Sequence, residues 1–257
     1  MQGPPGVGKT FFAQRLAQVF AQGDDPSRIR LVQFHASYAY EDFVQGYRPD
    51  GKGGFERRDG IFVRACQAAK ADPGQPYVLI IDEINRANLS KVFGELLMLV
   101  ESDKRDKKFA LDLAYSTEDD DRFYVPKNLH IIGLMNTADR SLALVDYALR
   151  RRFKFFDVAP GFETPEFHTY LLARGVPVPV IDHIRVSLGQ LNKAIAQDRD
   201  LGSGFLIGHS YFCDLPAEED AEDAYHEIVE HEIVPLLREY WYEGSQAEEW
   251  RQKLLKR

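Results

Sequence analysis

The sequence predicts an α/β fold in two parts: a mostly parallel sheet flanked by helices over residues 1–160, and a smaller helical part over residues 161–257. Three observations carry this expectation. Short apolar runs alternate with amphipathic stretches, the pattern of βαβ units. A glycine-rich loop at the start of the chain leads straight into a helical pattern. After Pro160 and Gly161 the periodicity becomes helical throughout.

The elements follow in order. Residues 10–21 have helical spacing, and 29–35 (IRLVQFH) read as a strand followed by a polar, glycine-rich stretch around 47–60. Residues 59–71 form an amphipathic helical pattern that stops at Asp72, Pro73 and Gly74, where proline and glycine end helices. The run 77–82 (YVLIID) is continuously apolar until its last residue, as expected of a strand buried on both faces. Residues 89–101 predict an amphipathic helix, 129–135 (LHIIGLM) a second buried strand and 153–158 a third. Between them, 102–127 is rich in charge, with acids at 118–121 and two alternating segments at 109–115 and 122–125. It reads as an exposed hairpin with an acidic turn, inserted near 103–127. In the second part, 180–196 and 224–241 are the clearest helices, with an acidic link near 217–223 and a basic tail at 253–257.

Composition narrows the class of function. The chain has 257 residues and a formal charge of −8, which argues against attraction to nucleic acid over the whole surface. No apolar run reaches the ~20 residues that span a bilayer, and no charged-then-apolar leader opens the chain. The two cysteines, Cys66 and Cys213, lack metal-ligand or redox spacing and read as reduced thiols. The expectation is a cytoplasmic protein with no membrane partner.

The chemistry begins at GPPGVGKT, residues 3–10, which fits G-x-x-x-x-G-K-[ST]. Gly3, Gly6 and Gly8, with Pro4, Pro5 and Val7 between them, suit a loop whose amides cradle phosphate at a helix N-terminus. Lys9 would reach the β- and γ-phosphates, and the Thr10 hydroxyl would ligate Mg²⁺. The strand that should precede such a loop is nearly missing, since only Met1 and Gln2 come before Gly3. A truncated start is the expectation.

The run 77–82 ends in Asp82, followed by Glu83, at the edge of an α/β sheet where ligands bind. Asp82 would hold Mg²⁺ and Glu83 would orient and deprotonate an attacking water. An acid pair at a helix start would look the same in sequence. Asn136, at the tip of the 129–135 run, is placed to touch a γ-phosphate or the water, and equally suits an Asx turn or helix cap. Arg150, Arg151 and Arg152 lead into an apolar run. They are either solvated, or they reach a neighbouring subunit's γ-phosphate across a ring interface.

With these elements in order, the sequence resembles the AAA+ superfamily of P-loop NTPases, whose core carries a C-terminal helical lid. More narrowly it is similar to the McrB family, motor subunits of 5-methylcytosine-specific, modification-dependent restriction systems. The matching stretches are GPPGVGKT at 3–10, VQFHASYAYEDFVQGYRP at 32–49, IIDEINRANLSKVFGELLMLVE at 80–101, GLMNTADRSLALVDYALRRRF at 133–153 and FLIGHSYF at 205–212. The resemblance implies the roles given above for Lys9, Thr10, Asp82, Glu83 and Asn136, with Arg151 and Arg152 acting in trans in a homo-oligomeric, hexameric ring. It also implies Mg²⁺-dependent hydrolysis of GTP, with Asn136 and Asp139 in the signature tied to that preference. An ATP-hydrolysing member in another remodelling or defence complex is the alternative. Arg86 either joins the active-site network or makes a structural ion pair. His209 either senses nucleotide from the lid or is a buried, hydrogen-bonded histidine. Family partners are an McrC endonuclease subunit and methylated DNA, the latter through an N-terminal domain absent here; the expectation is no nuclease activity in this chain.

Overall fold

The computed structural model describes residues 1–23, 25–118, 120, 122–139, 150–218, 220–242 and 244–256. They form two compact units: Met1–Gln2 with Thr10–Phe156, and Gly3–Lys9 with Asp157–Arg257. The elements of the first part are β1 (Gln2–Gly3), α1 (Lys9–Phe20), β2 (Ile29–Gln33), α2 (Tyr40–Phe43), β3 (Gln45–Pro49), β4 (Phe55–Asp59), α3 (Ile61–Ala71), β5 (Tyr77–Asp82), α4 (Leu89–Phe93), β6 (Leu129–Gly133) and β7 (Met135–Asn136).

In the first unit β5 lies between β2 and β6, parallel to both, with Gln33 opposite Asp82 and Ile81 opposite Gly133. The continuous apolar character of β5 has a direct cause. Val78 and Ile80 face Ala13 and Ala17 of α1, whereas Leu79 and Ile81 join the cluster of Phe62 and Cys66 from α3 and Phe93 from α4. Strand side chains alternate, so a strand covered on both faces needs apolar residues at every position. All four are withdrawn from water, each contributing about 1.5–3 kcal/mol. Alanines four residues apart let α1 approach the sheet closely. The chain start is stitched to this sheet: the Met1 ammonium donates to Gly133 O at 2.7 Å, and Met135 N–H donates to Met1 O at 3.0 Å.

Several expectations for the first unit need correction or completion. Residues 89–101 are not one α-helix, because α4 ends at Gly94, at φ 52°, and the chain continues as a 3₁₀ stretch, Gly94–Val100. Leu96 and Leu99 still reach the core. Residues 153–158 form no named strand among the described residues; their link to the first unit's start is the Gln2 N–H donated to Phe156 O at 2.8 Å. Among its described residues the 102–127 stretch pairs at an antiparallel bridge, Leu111 with Phe123, as a hairpin would, but it turns inward instead of standing exposed, burying Leu113, Phe123 and Val125 in the main core. Its acid Asp120 is paired with Arg57 rather than left in solvent, and Asp119 and Asp121 lie outside the described residues. Finally, the polar stretch around 47–60 holds a hairpin, β3 against β4. Asp50 Oδ1 accepts from the Lys52 and Gly54 amides at 2.7 and 2.9 Å, an Asx turn that replaces apolar alternation as the signal.

The second unit is helical: α5 (Pro165–Ala173), α6 (Val178–Gln197), α7 (Asp220–Ile228), α8 (Val234–Tyr240) and α9 (Gln246–Leu255). Ile181, Ile184, Leu188, Leu191 and Ile195 line one stripe of α6 and centre its core. The expected single helix over 224–241 is interrupted by a π-turn, Val229–Ile233, closed by Val234 N–H on Val229 O. Pro235 follows it, and proline cannot donate the α-helical bond, so the turn widens to relieve the ring. No helix among the described residues is long and apolar enough to cross a membrane.

Candidate functional site

The loop 3–9 is shaped by glycines in conformations other residues resist. Gly6 and Gly8 sit at φ 72° and 76°, and left-handed residues in such a loop turn successive amides to one side. Gly6 is doubly constrained, because a Cβ there would lie 2.3 Å from Cε2 of Tyr211. The Lys9 ammonium donates to Gly3 O and Pro4 O at 2.9 and 2.8 Å, so it lies across the loop it follows. The first turn of α1 itself holds no acidic residue.

Within the same unit, residues 205–212 lie along this loop. Gly208 N–H donates to Pro5 O at 3.0 Å and Ser210 N–H to Gly6 O at 2.7 Å. His209, between them, accepts the Gly161 N–H on Nδ1 at 2.9 Å and is set edge-on to Phe162 and Phe167. Burial holds its pKa below the ordinary imidazole value. Sequence reasoning singled out His209 but missed the neighbouring backbone bonds and Tyr211, since main-chain donors leave no signature in residue types.

In the first unit, Thr10 Oγ1 donates to Asp82 Oδ2 at 3.4 Å, bringing the start of α1 against the end of β5. Glu83 N–H donates to Asp82 Oδ1 at 3.0 Å. Glu83 itself is left-handed, φ 50° and ψ 42°, a conformation that costs a side-chain-bearing residue roughly 1–2 kcal/mol. That backbone twist turns its carboxylate into an ionic chain: Arg86 Nε lies 3.5 Å from Glu83 Oε2, and Arg86 Nη2 lies 3.4 Å from Asp139 Oδ2. Arg86 thus makes ion pairs, and its partners are two candidate site residues, an arrangement that fits both readings of it.

Asn136 Oδ1 accepts from Ala138 N–H at 3.2 Å, an Asx turn, while its backbone O accepts from Asn85 Nδ2 at 3.3 Å. Asn85, 7% exposed, was not singled out; the signal was available as a buried-side polar residue just after the acid pair. The three arginines differ. Arg150 lies over the Phe155 ring, and Arg152 Nε meets Glu101 Oε1 at 2.9 Å. No ion pair or hydrogen bond joins Arg151 to another described residue. Arg140 and Ser141 of the MNTADRS stretch lie outside the described residues.

No cluster of three His, Cys, Asp or Glu side chains suited to a metal occurs among the described residues. The Thr10 hydroxyl and Asp82 carboxylate instead make a two-oxygen set, which suits Mg²⁺ because that ion keeps waters and takes phosphate oxygens to complete its shell.

A glycine-built loop opening a helix, whose Thr meets a carboxylate at the end of a parallel strand, defines a P-loop nucleoside triphosphatase. Residues 1–153 match the AAA domain family, dynein-related subfamily, and residues 183–249 match the α-helical lid domain of McrB. The chain belongs to the AAA domain family. The EcoKMcrB subunit of a type IV methyl-directed restriction enzyme from Escherichia coli (strain K12) is 53% identical over 259 residues, covering 99% of this chain and 56% of that protein. The YdiS component of the type II restriction enzyme BsuMI from Bacillus subtilis (strain 168) is 29% identical over 188 residues, covering 60% of this chain and 54% of that one. The chain thus spans about half the length of the curated relatives it matches. A solved structure of a candidate ATPase from Cytophaga hutchinsonii covers 76% of this chain and 56% of that one at 16% identity, with a TM-score of 0.39, too distant to bear on function.

Proposed function

We propose that this chain is a Mg²⁺-dependent GTPase, the motor of a modification-dependent DNA restriction complex. The observation that carries the nucleotide reading is the 3.4 Å contact between Thr10 and Asp82, two groups 72 positions apart in sequence. The restriction reading rests on the similarity to a methyl-directed restriction subunit along nearly the whole chain.

The residues divide the work by position and charge. The loop amides of residues 3–9 and the Lys9 ammonium hold the triphosphate, with Lys9 exchanging its carbonyl partners for phosphate oxygens. Thr10 and Asp82 hold Mg²⁺, which when bound neutralises charge on the β- and γ-phosphates. Glu83 receives a proton from the attacking water, and the Arg86 bridge to Asp139 aims its carboxylate. Asn136 orients the water or the γ-phosphate from the end of β7. Arg151, unengaged among described residues, reaches the γ-phosphate of a neighbouring subunit, while Arg152 anchors the same segment through Glu101.

The assembly is a ring of identical subunits, hexameric, working in the cytoplasm with an McrC-like endonuclease subunit. Modified DNA is read by a separate domain, and this chain has no nuclease activity of its own. Steady-state hydrolysis of GTP and ATP by the parent, Lys9→Ala and Glu83→Gln proteins tests the core of this reading. GTP turnover exceeding ATP turnover, lost in both variants, is expected. Equal or ATP-favoured turnover removes the GTPase assignment, and undiminished turnover in Glu83→Gln removes Glu83 as the base.

A further inference from the structure

The glycine-built loop, residues 3–9, belongs to the same compact unit as the helical part, which grips it at successive points. At its start, a Cβ on Gly3 would fall 2.3 Å from Val158 O. The strap at residues 205–212 takes the carbonyls further on: Gly208 N–H donates to Pro5 O at 3.0 Å and Ser210 N–H to Gly6 O at 2.7 Å. A Cβ on Gly208 would fall 1.9 Å from the Gly6 carbonyl, so the strap lies directly on the loop. The Tyr211 ring completes the grip. A Cβ on Gly6 would meet its Cε2, Cδ2 and Cζ at 2.3, 2.6 and 3.2 Å, which puts the ring against the Gly6 backbone. At Gly8, by contrast, nothing lies within 4 Å of an added Cβ. The grip thus stops short of Gly8 and Lys9, the part of the loop that phosphate must reach.

Such a loop needs holding. Glycine loses more backbone freedom on ordering than any other residue, and three of these seven residues are glycine. If the fold orders the loop beforehand, that loss does not subtract from the affinity for a ligand. Gly6, at φ 72°, has no side chain with which to anchor itself, and Tyr211 is the side chain that confines it.

We infer that Tyr211 is a positioning residue for triphosphate binding: with the Gly208 and Ser210 amides it holds the Gly6 backbone in the shape that receives phosphate. Coupling between two sites is reciprocal, so bound phosphate in turn tightens the strap on the loop. Tyr211 acts through the loop and touches neither base nor phosphate. The inference rests on the nucleotide reading above and adds to it the side chain that preorganises the phosphate site.

Calorimetric titration of the full chain with Mg²⁺ tests it, using GTP and, as a probe without a base, inorganic tripolyphosphate. Tyr211→Ala should weaken both about tenfold, and Tyr211→Phe, which keeps the ring carbons that meet Gly6, should recover both. Loss of GTP binding alone would mark a base contact and overturn the inference. Unchanged affinity for both would do the same, as would failure of Tyr211→Phe to recover the loss. Amide exchange on the parent protein stands whether or not the variants fold: tripolyphosphate should slow exchange at Gly208 and Ser210 about tenfold. Unchanged exchange there, with tripolyphosphate bound, would overturn the coupling. A parent that binds neither probe removes the nucleotide reading and this inference with it. A parent that binds both, with no loss in Tyr211→Ala, leaves that reading standing and overturns this inference alone.

Discussion

Gly6 and Gly8 offer a controlled comparison, because they share a backbone conformation and differ in their surroundings. Their φ values are 72° and 76°, so alanine at either position meets the same left-handed penalty, about 1–2 kcal/mol. Around Gly8 nothing lies within 4 Å of the added Cβ, and the penalty ends there. At Gly6 the Cβ would lie 2.3 Å from Cε2 and 2.6 Å from Cδ2 of Tyr211, well inside contact distance. The ring must move, and forced repacking of this kind costs typically 1–3 kcal/mol more. Gly6→Ala should therefore destabilise the chain by about 2–5 kcal/mol and Gly8→Ala by about 1–2 kcal/mol, compared without nucleotide in urea unfolding. Adding Tyr211→Ala removes the obstacle, so the double variant should show a coupling of about 1–3 kcal/mol with Gly6→Ala and none with Gly8→Ala. Equal costs at the two glycines, or zero coupling to Tyr211, would refute the argument that this ring packs under the loop.

The remaining expectations are shorter. Arg151→Ala should lower turnover of the assembled protein by about 10³-fold or more, and mixing it with Glu83→Gln subunits should restore part of the activity; failure of every mixture to recover would exclude action across an interface. Glu101→Gln should leave nucleotide affinity unchanged while weakening the hold on Arg152, read as a lower melting temperature; an unchanged melting temperature would show the 2.9 Å pair to be energetically idle. Since burial lowers the folded-state pKa of His209 below its ordinary 6.5, the unfolded chain binds more protons as pH falls past that value. Its contribution to stability is full above pH 6.5 and lost below it. His209→Gln should flatten the pH dependence of the unfolding free energy between about pH 5 and 7; an unaltered slope would assign that dependence to other groups, His130 among them. Asp50→Ala should loosen the β3–β4 turn by about 1 kcal/mol, seen as faster amide exchange at Lys52 and Gly54, and unchanged protection would remove the Asx turn as its cause.

Residue order was enough for the α/β class, the glycine-built loop and the place of the acid pair, because each depends on local chemistry. Apolar runs of strand length declare burial on both faces, glycines at fixed spacing declare left-handed turns, and Asp82 needed only to end its strand to arrive at the sheet edge. The π-turn before Pro235 and the break at Gly94 were present in the letters too, yet helical periodicity ran straight through them. Other features had no local code. The inward turn of 102–127 depended on Phe123 and Val125 finding room beside α3, and nothing in their own segment records that vacancy. The different employment of Arg151 and Arg152 followed from where Glu101 came to lie. The Arg86 link between Glu83 and Asp139, and the strap along Pro5 and Gly6, join groups far apart in the chain through side-chain direction and main-chain amides. Pairing over such distances is settled by packing of the whole chain, and single positions carry no trace of it.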